Sequence, residues 1–182
     1  MFSLFKKKTK DTKKETSAME MGRALMQIVS GSESSNQAAL KFLHDADDTV
    51  KQRILNEMLF LRVFAIDTAV TNVLGETPER DGVLSTFYDH VKRLAGLTRA
   101  TLWKDLEIRL FTYEEAFNTP HHRGPAFQVG KAFASFCGYE MDAVVMLTGG
   151  AEFTSTASTV SDLLKSSQIT VYGNKGNFEV SF

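Results

Sequence analysis

Apolar residues recur along most of this chain at helical spacing, and one stretch departs from the usual amphipathic rule. A typical globular helix carries one apolar stripe and one polar face. Between Ile54 and Leu74 the apolar positions run nearly all the way round instead. At about 100° per residue, Leu55, Met58, Leu59, Ala65, Ile66 and Ala69 surround the charged residue Arg62. A helix apolar on every side is expected to form the buried axis of a helical domain. Asp47 or Asp48 is suited to cap it near Thr49, and Gly75 to end it.

The flanking elements follow from the same periodicity. Ser17-Ala-Met-Glu20 has capping-box spacing, and Ala18, Met21, Leu25 and Ile28 then form a stripe that stops at Gly31. A second helix is expected from about Ser35, burying Ala39, Phe42, Leu43 and Ala46. Thr77-Pro78-Glu79 opens the helix of Leu84, Phe87, Val91 and Leu94, which Gly96 is expected to close. Thr98 should start another, with Leu102, Trp103, Leu106, Leu110, Tyr113 and Phe117 inward, broken at Asn118-Thr-Pro120. Pro125 begins a helix in which Ala126, Gly130, Ala134 and Gly138 recur every fourth residue, beside Phe127, Phe133 and Phe136. Small residues at that interval make a flat ridge that another backbone can approach closely.

The last third changes character. Ala143–Leu147 reads as helix or strand and is expected to end at Gly149-Gly150, after which Glu152–Lys165 is helical in spacing. Ile169 and Val171 alternate, Gly173-Asn-Lys-Gly176 turns, and Phe178, Val180 and Phe182 alternate again, which predicts a β-hairpin at about 168–182. An isolated hairpin is marginal in water, so it should lie on the helices, pair with Ala143–Leu147, or pair with a second subunit. The expected fold is mainly α: a single-domain bundle of six or seven helices around a buried central helix, over 16–182, with a small C-terminal β-hairpin.

Composition and charge narrow the class. Of 182 residues, 43% are apolar and 24% charged, as in ordinary soluble domains. Fourteen phenylalanines against one tryptophan suit either an aromatic core or an apolar pocket. The net charge of −1 argues against a nucleic-acid binder. It conceals an asymmetry, because residues 1–15 hold six lysines against Asp11 and Glu15, a net of +4. That stretch is expected to be a disordered basic tail making at most weak membrane-surface contact. The apolar run Met58–Ile66 is interrupted by Arg62 and falls short of the roughly 20 residues a spanning helix needs. A lone Cys137 excludes an internal disulfide and, with no signal peptide, points to the cytoplasm.

Candidate chemistry is sparse. Counted from Asp45, the calcium-loop positions six and twelve hold Val50 and Asn56, so the acidic cluster there is not an EF-hand. No paired Glu-x-x-His or His-Glu-x-x-His pattern accompanies His121-His122, so no metal site is expected, and the cofactor is undefined. Thr148-Gly-Gly150 could turn its amides to an anion but lacks the phosphate-loop lysine. A guanidinium on an apolar helix must find a partner, because it stays charged. Arg62 is therefore expected either to form a structural ion pair or to anchor a small anionic or amphipathic ligand in a Phe-lined pocket, with Glu107, Glu114 and Phe111 beside it. The leading functional expectation is a non-enzymatic binding or interaction protein with a protein partner or self-association. Its interface would be the ridge Ala126, Gly130 and Ala134 or the hairpin edge Phe178, Val180 and Phe182. A weaker third reading makes His121 or His122 an acid–base group.

Overall fold

Six helices and two short strands succeed one another in the computed structural model, which describes residues 13–31, 36–37, 40, 47–98 and 101–171. Strand β1 (Lys14–Ser17) leads into α1 (Ala18–Ser30). Then come α2 (Asp48–Leu74), α3 (Pro78–Thr98), α4 (Leu102–Asn118), α5 (Pro125–Cys137) and α6 (Ala143–Ser166), and β2 (Ser167–Thr170) follows directly. The helix expected from Ser35 to Ala46 falls largely outside the described residues. Among those described, no helix is long and apolar enough to cross a membrane.

Local chemistry sets the boundaries. Ser17 and Glu20 form the reciprocal capping box: the Glu20 amide donates to Ser17 Oγ at 3.2 Å and the Ser17 amide to Glu20 Oε2 at 3.0 Å. Asp47 accepts the Val50 amide at 2.8 Å and caps α2, which ends at Gly75 with φ +63°. Pro78 opens α3, where Thr77 Oγ1 accepts the Arg80 amide. Gly138, at φ +82°, turns α5 over. Asp142 Oδ1 accepts the amides of Val144 and Val145 and so starts α6.

Among the described residues, α2 contacts each of the other five helices. Ile54, Leu61, Ala65, Ile66 and Val70 are fully enclosed. Aromatic rings join four helices: Phe64 stacks on Tyr113 and Phe153, Phe117 meets Phe64 edge-on, and Tyr113 meets Phe136. Many of the phenylalanines thus build the core.

Several expectations are corrected. Ala143–Leu147 is the first turn and a half of α6, and Gly149-Gly150 lies inside that helix. The pair is a packing device: a Cβ on Gly150 would come within 2.7 Å of the Ala126 carbonyl, and one on Gly130 within 2.1 Å of the Met146 carbonyl. Only glycine lets α5 and α6 approach so closely. Gly96 does not close α3, which continues to Thr98, and α4 starts at Leu102. Gln168–Thr170 is strand, but its partner is β1 in parallel, with Lys14 opposite Ser167 and Ser17 opposite Thr170. The end of the expected basic tail is therefore a strand, and the second arm of the hairpin lies outside the described residues.

Candidate functional sites

Arg62 is almost completely enclosed, at 1% exposure. Its Nε donates to Glu152 Oε1 at 2.6 Å, Nη2 donates to Asn36 Oδ1 at 2.9 Å, and Nη1 faces the carbonyls of Val29 and Ser30. Those carbonyls end α1, where unpaired oxygens and the negative end of the helix dipole favour a cation. Gly31 makes the arrangement sterically feasible, since a Cβ there would sit 2.3 Å from Nη1, and its φ is +65°. One guanidinium thus ties α1, α2, α6 and Asn36 together.

The carboxylate on Arg62 belongs to Glu152, not to Glu107 or Glu114. Glu107 is exposed and accepts the Trp103 Nε1 hydrogen at 2.5 Å, Glu114 is exposed, and Phe111 points outward at 62% exposure. Once α6 is seen to run through Gly149-Gly150, Val145, Gly149, Glu152, Thr156 and Val160 fall on one inward face. Glu152 is the single acid on that stripe. Reading the glycine pair as a helix end hides this signal.

A second ion pair went unnoticed in the sequence. Glu57, 3% exposed, receives Arg109 Nη2 at 2.7 Å and Nε at 3.2 Å from both of its oxygens. The guanidinium also lies over the rings of Phe136 and Phe60, at 4.7 and 5.4 Å. Each residue is a lone charge on an inward stripe: Glu57 with Ile54 and Leu61, Arg109 with Leu106 and Tyr113. Burial, then the nearby Glu57 charge, pushes the Cys137 thiol up to about 12, which makes it a poor nucleophile. Burial raises the Tyr113 hydroxyl well above 10.0, and Glu57 and Cys137 add to the rise; this hydroxyl has no hydrogen-bond partner among the described residues. Burial likewise raises Tyr88, whose hydroxyl donates to the Asp67 carboxylate.

These three acids predict alkaline instability. The folded protein holds each of them neutral to higher pH than the unfolded chain, where the thiol ionises near 9.0 and the tyrosines near 10.0. Above those values the unfolded state binds fewer protons, so the stabilisation is complete below pH 9 and lost as pH rises toward the folded values. Each group contributes a slope of about 1.4 kcal/mol per pH unit in that window. Urea unfolding between pH 8 and 11 should show the loss, and Tyr113→Phe should make it shallower. At pH 8 the same variant should be within about 1 kcal/mol of the parent, because the hydroxyl it removes makes no bond. A steeper loss in Tyr113→Phe would overturn this assignment.

The remaining sequence candidates are placed as follows. His121 stacks on His122 and Phe127, and its Nδ1 faces the Arg123 amide at 3.1 Å. Slight desolvation and then the positive neighbours His122, Arg123 and Lys131 lower its pKa. Among the described residues no group of three or more His, Cys, Asp or Glu side chains is placed to hold a metal ion. Thr148-Gly-Gly150 lies mid-helix, so it is not an anion-binding loop. Gly130 and the fully buried Ala134 lie in the core, and the Ala126–Gly130 ridge packs on α6, a close approach within the chain. Phe178, Val180 and Phe182 lie outside the described residues.

One apolar trough of about 280 Å³ opens between α1, α2, α3 and α4. Val29, Leu59, Val63, Val91 and Leu106 form its walls and Leu94 its lip. Gln52 and Asn56, bonded to each other at 3.0 Å, mark its polar end. Gln52, Asn56, Phe60 and Leu102 also line a wider polar cleft of about 560 Å³ that contains Arg53, Asp48, Asp105 and the Glu57–Arg109 pair. Arg53 makes no ion pair among the described residues. Comparison with known proteins gave no matching family model, no matching curated protein and no matching solved structure.

Proposed function

We propose that this is a non-enzymatic, cytoplasmic binding protein, a helical bundle with α2 as its axis, which holds a small amphipathic molecule in the α1–α2–α3–α4 trough. The observation that carries the reading is continuity: the apolar trough and the polar cleft share Gln52, Asn56, Phe60 and Leu102. A ligand with an apolar body and an anionic head could lie along both, its body against Leu59, Val63 and Leu106 and its head toward Arg53. The volume is close to the lower end of the roughly 300–1,000 Å³ range of small-molecule sites. Arg62 is not the anchor in this reading, since its guanidinium is engaged by Glu152, Asn36 and the end of α1.

Binding of anilinonaphthalene sulfonate, and its displacement by decanoate, tests the proposal. Saturable binding with blue-shifted emission is expected. Leu94→Glu, at the exposed lip, should weaken it by about tenfold or more, equivalent to about 1.4 kcal/mol. Arg53→Gln should weaken it several-fold with an unchanged melting temperature. Absence of saturable binding, or binding indifferent to Leu94→Glu, would sink the assignment.

A further inference from the structure

The outer face of α4 and the groove between α5 and α6 have opposite chemistry. On α4, Phe111 and Ile108 project into solvent one turn apart. Exposed Glu107, Glu114 and Glu115 stand at the −4, +3 and +4 positions from Phe111, so all share its face. The result is an apolar knob ringed by carboxylates. None of these three acids has an ion-pair partner among the described residues.

The α5–α6 groove has a volume of about 590 Å³, and among the described residues no carboxylate lines it. Its floor is shallow where Ala126, Gly150 and Ala151 lie, and Phe127 and Leu147 form its walls, Leu147 being 66% exposed. On α6 Val144 is also exposed, and exposed Met141 lies just before the helix, between Glu140 and Asp142. One rim is cationic: the Arg123 guanidinium sits over the Phe127 ring at 5.0 Å, and exposed Lys131 lies one turn further along α5.

We propose that the Phe111 face of α4 docks into the α5–α6 groove of a second copy of this chain. Phe111 and Ile108 fill the groove between Phe127 and Leu147, and Glu107, Glu114 and Glu115 face Arg123 and Lys131. Aromatic and Arg side chains are enriched at protein interfaces, and opposed charges fix the register while apolar contact supplies most of the affinity. Knob and groove are different surfaces, so the contact is heterologous. Two copies can close it by exchanging both contacts; otherwise it extends into a ring or chain.

Sedimentation equilibrium on the full chain, from about 1 µM to about 1 mM, tests the inference. The wild type should gain mass with concentration. Phe111→Asp and Leu147→Asp change exposed side chains and should each stay monomeric, with unchanged helical circular dichroism. Their equimolar mixture should associate again, because one variant keeps an intact groove and the other an intact knob. Glu114→Arg and Arg123→Glu should each weaken association, and mixing those two chains should restore much of it. A monomeric wild type at about 1 mM would overturn the inference, as would association that survives both Asp variants. A mixture that stays monomeric would also overturn it, and so would a monomer whose groove binds phosphatidylserine vesicles, the membrane then being the occupant.

Discussion

Replacing Arg62 by methionine should cost about 3–5 kcal/mol and leave the protein largely unfolded if its total stability is ordinary. Methionine roughly fills the volume, so the loss is electrostatic rather than steric. It takes the guanidinium from the Glu152 carboxylate, whose side chain is only 17% exposed, and removes the donors from Asn36 and the carbonyls of Val29 and Ser30. The effect of removing one partner exceeds the net value of the pair, because the survivor keeps its desolvation penalty. The double variant Arg62→Met, Glu152→Leu should therefore recover part of the loss, though not the part owed to the end of α1. Urea denaturation of the parent, both single variants and the double variant measures this as a cycle. A single Arg62→Met variant within about 1 kcal/mol of the parent would show that the guanidinium is dispensable.

Gly130→Ala should be the second large effect, and its sign is the informative part. On helix propensity alone the change would stabilise α5 by about 1 kcal/mol. The new methyl carbon, however, would lie 2.1 Å from the Met146 carbonyl oxygen and 2.8 Å from the Gly150 nitrogen, both backbone atoms that cannot rotate away. α5 and α6 must separate, loosening Phe133 and Phe153 on either side of that contact, and overpacking of this kind costs about 1–3 kcal/mol or more. A net loss above about 2 kcal/mol is expected, and Gly130→Val should be worse. Gly75→Ala is the control: a Cβ there meets nothing, and only the left-handed φ of +63° opposes it, at about 1–2 kcal/mol. Stabilisation in Gly130→Ala, read from the thermal midpoint, would refute the packing argument.

How much of this was legible depends on whether a feature is local. The helical character of α2 could be read from its apolar spacing and its cap, and among the described residues it contacts α1, α3, α4, α5 and α6. The caps at Ser17 and Asp47 were legible for the same reason, since each is satisfied within one turn. Gly149-Gly150 misled because glycine at a helix end and glycine at a helix crossing look alike until the neighbouring helix is present. The need of Arg62 for a partner followed from its fixed charge. Its choice of Glu152, 90 residues away, depended on a helix the glycine pair seemed to break. Glu57 and Arg109, 52 residues apart, are each unremarkable alone and significant only together. The β1–β2 pairing had no local signal, because its strands are separated by nearly the whole chain. On the functional side, Glu107, Glu114 and Phe111, expected beside Arg62, face solvent instead.

That pairing also sets where the polypeptide enters β1 and leaves β2. An antiparallel pair would bring the entry and exit of the polypeptide to one point. Here the strands run in the same direction, so the chain enters β1 and leaves β2 at opposite ends of a four-residue ribbon. At about 3.3 Å per residue those points are roughly 13 Å apart. Fusion partners attached before β1 and after β2 would diverge from opposite ends of the ribbon, clear of each other. Joining Thr170 directly to Lys14 would take a bridge of about four residues or more in place of the simple turn that closes a hairpin.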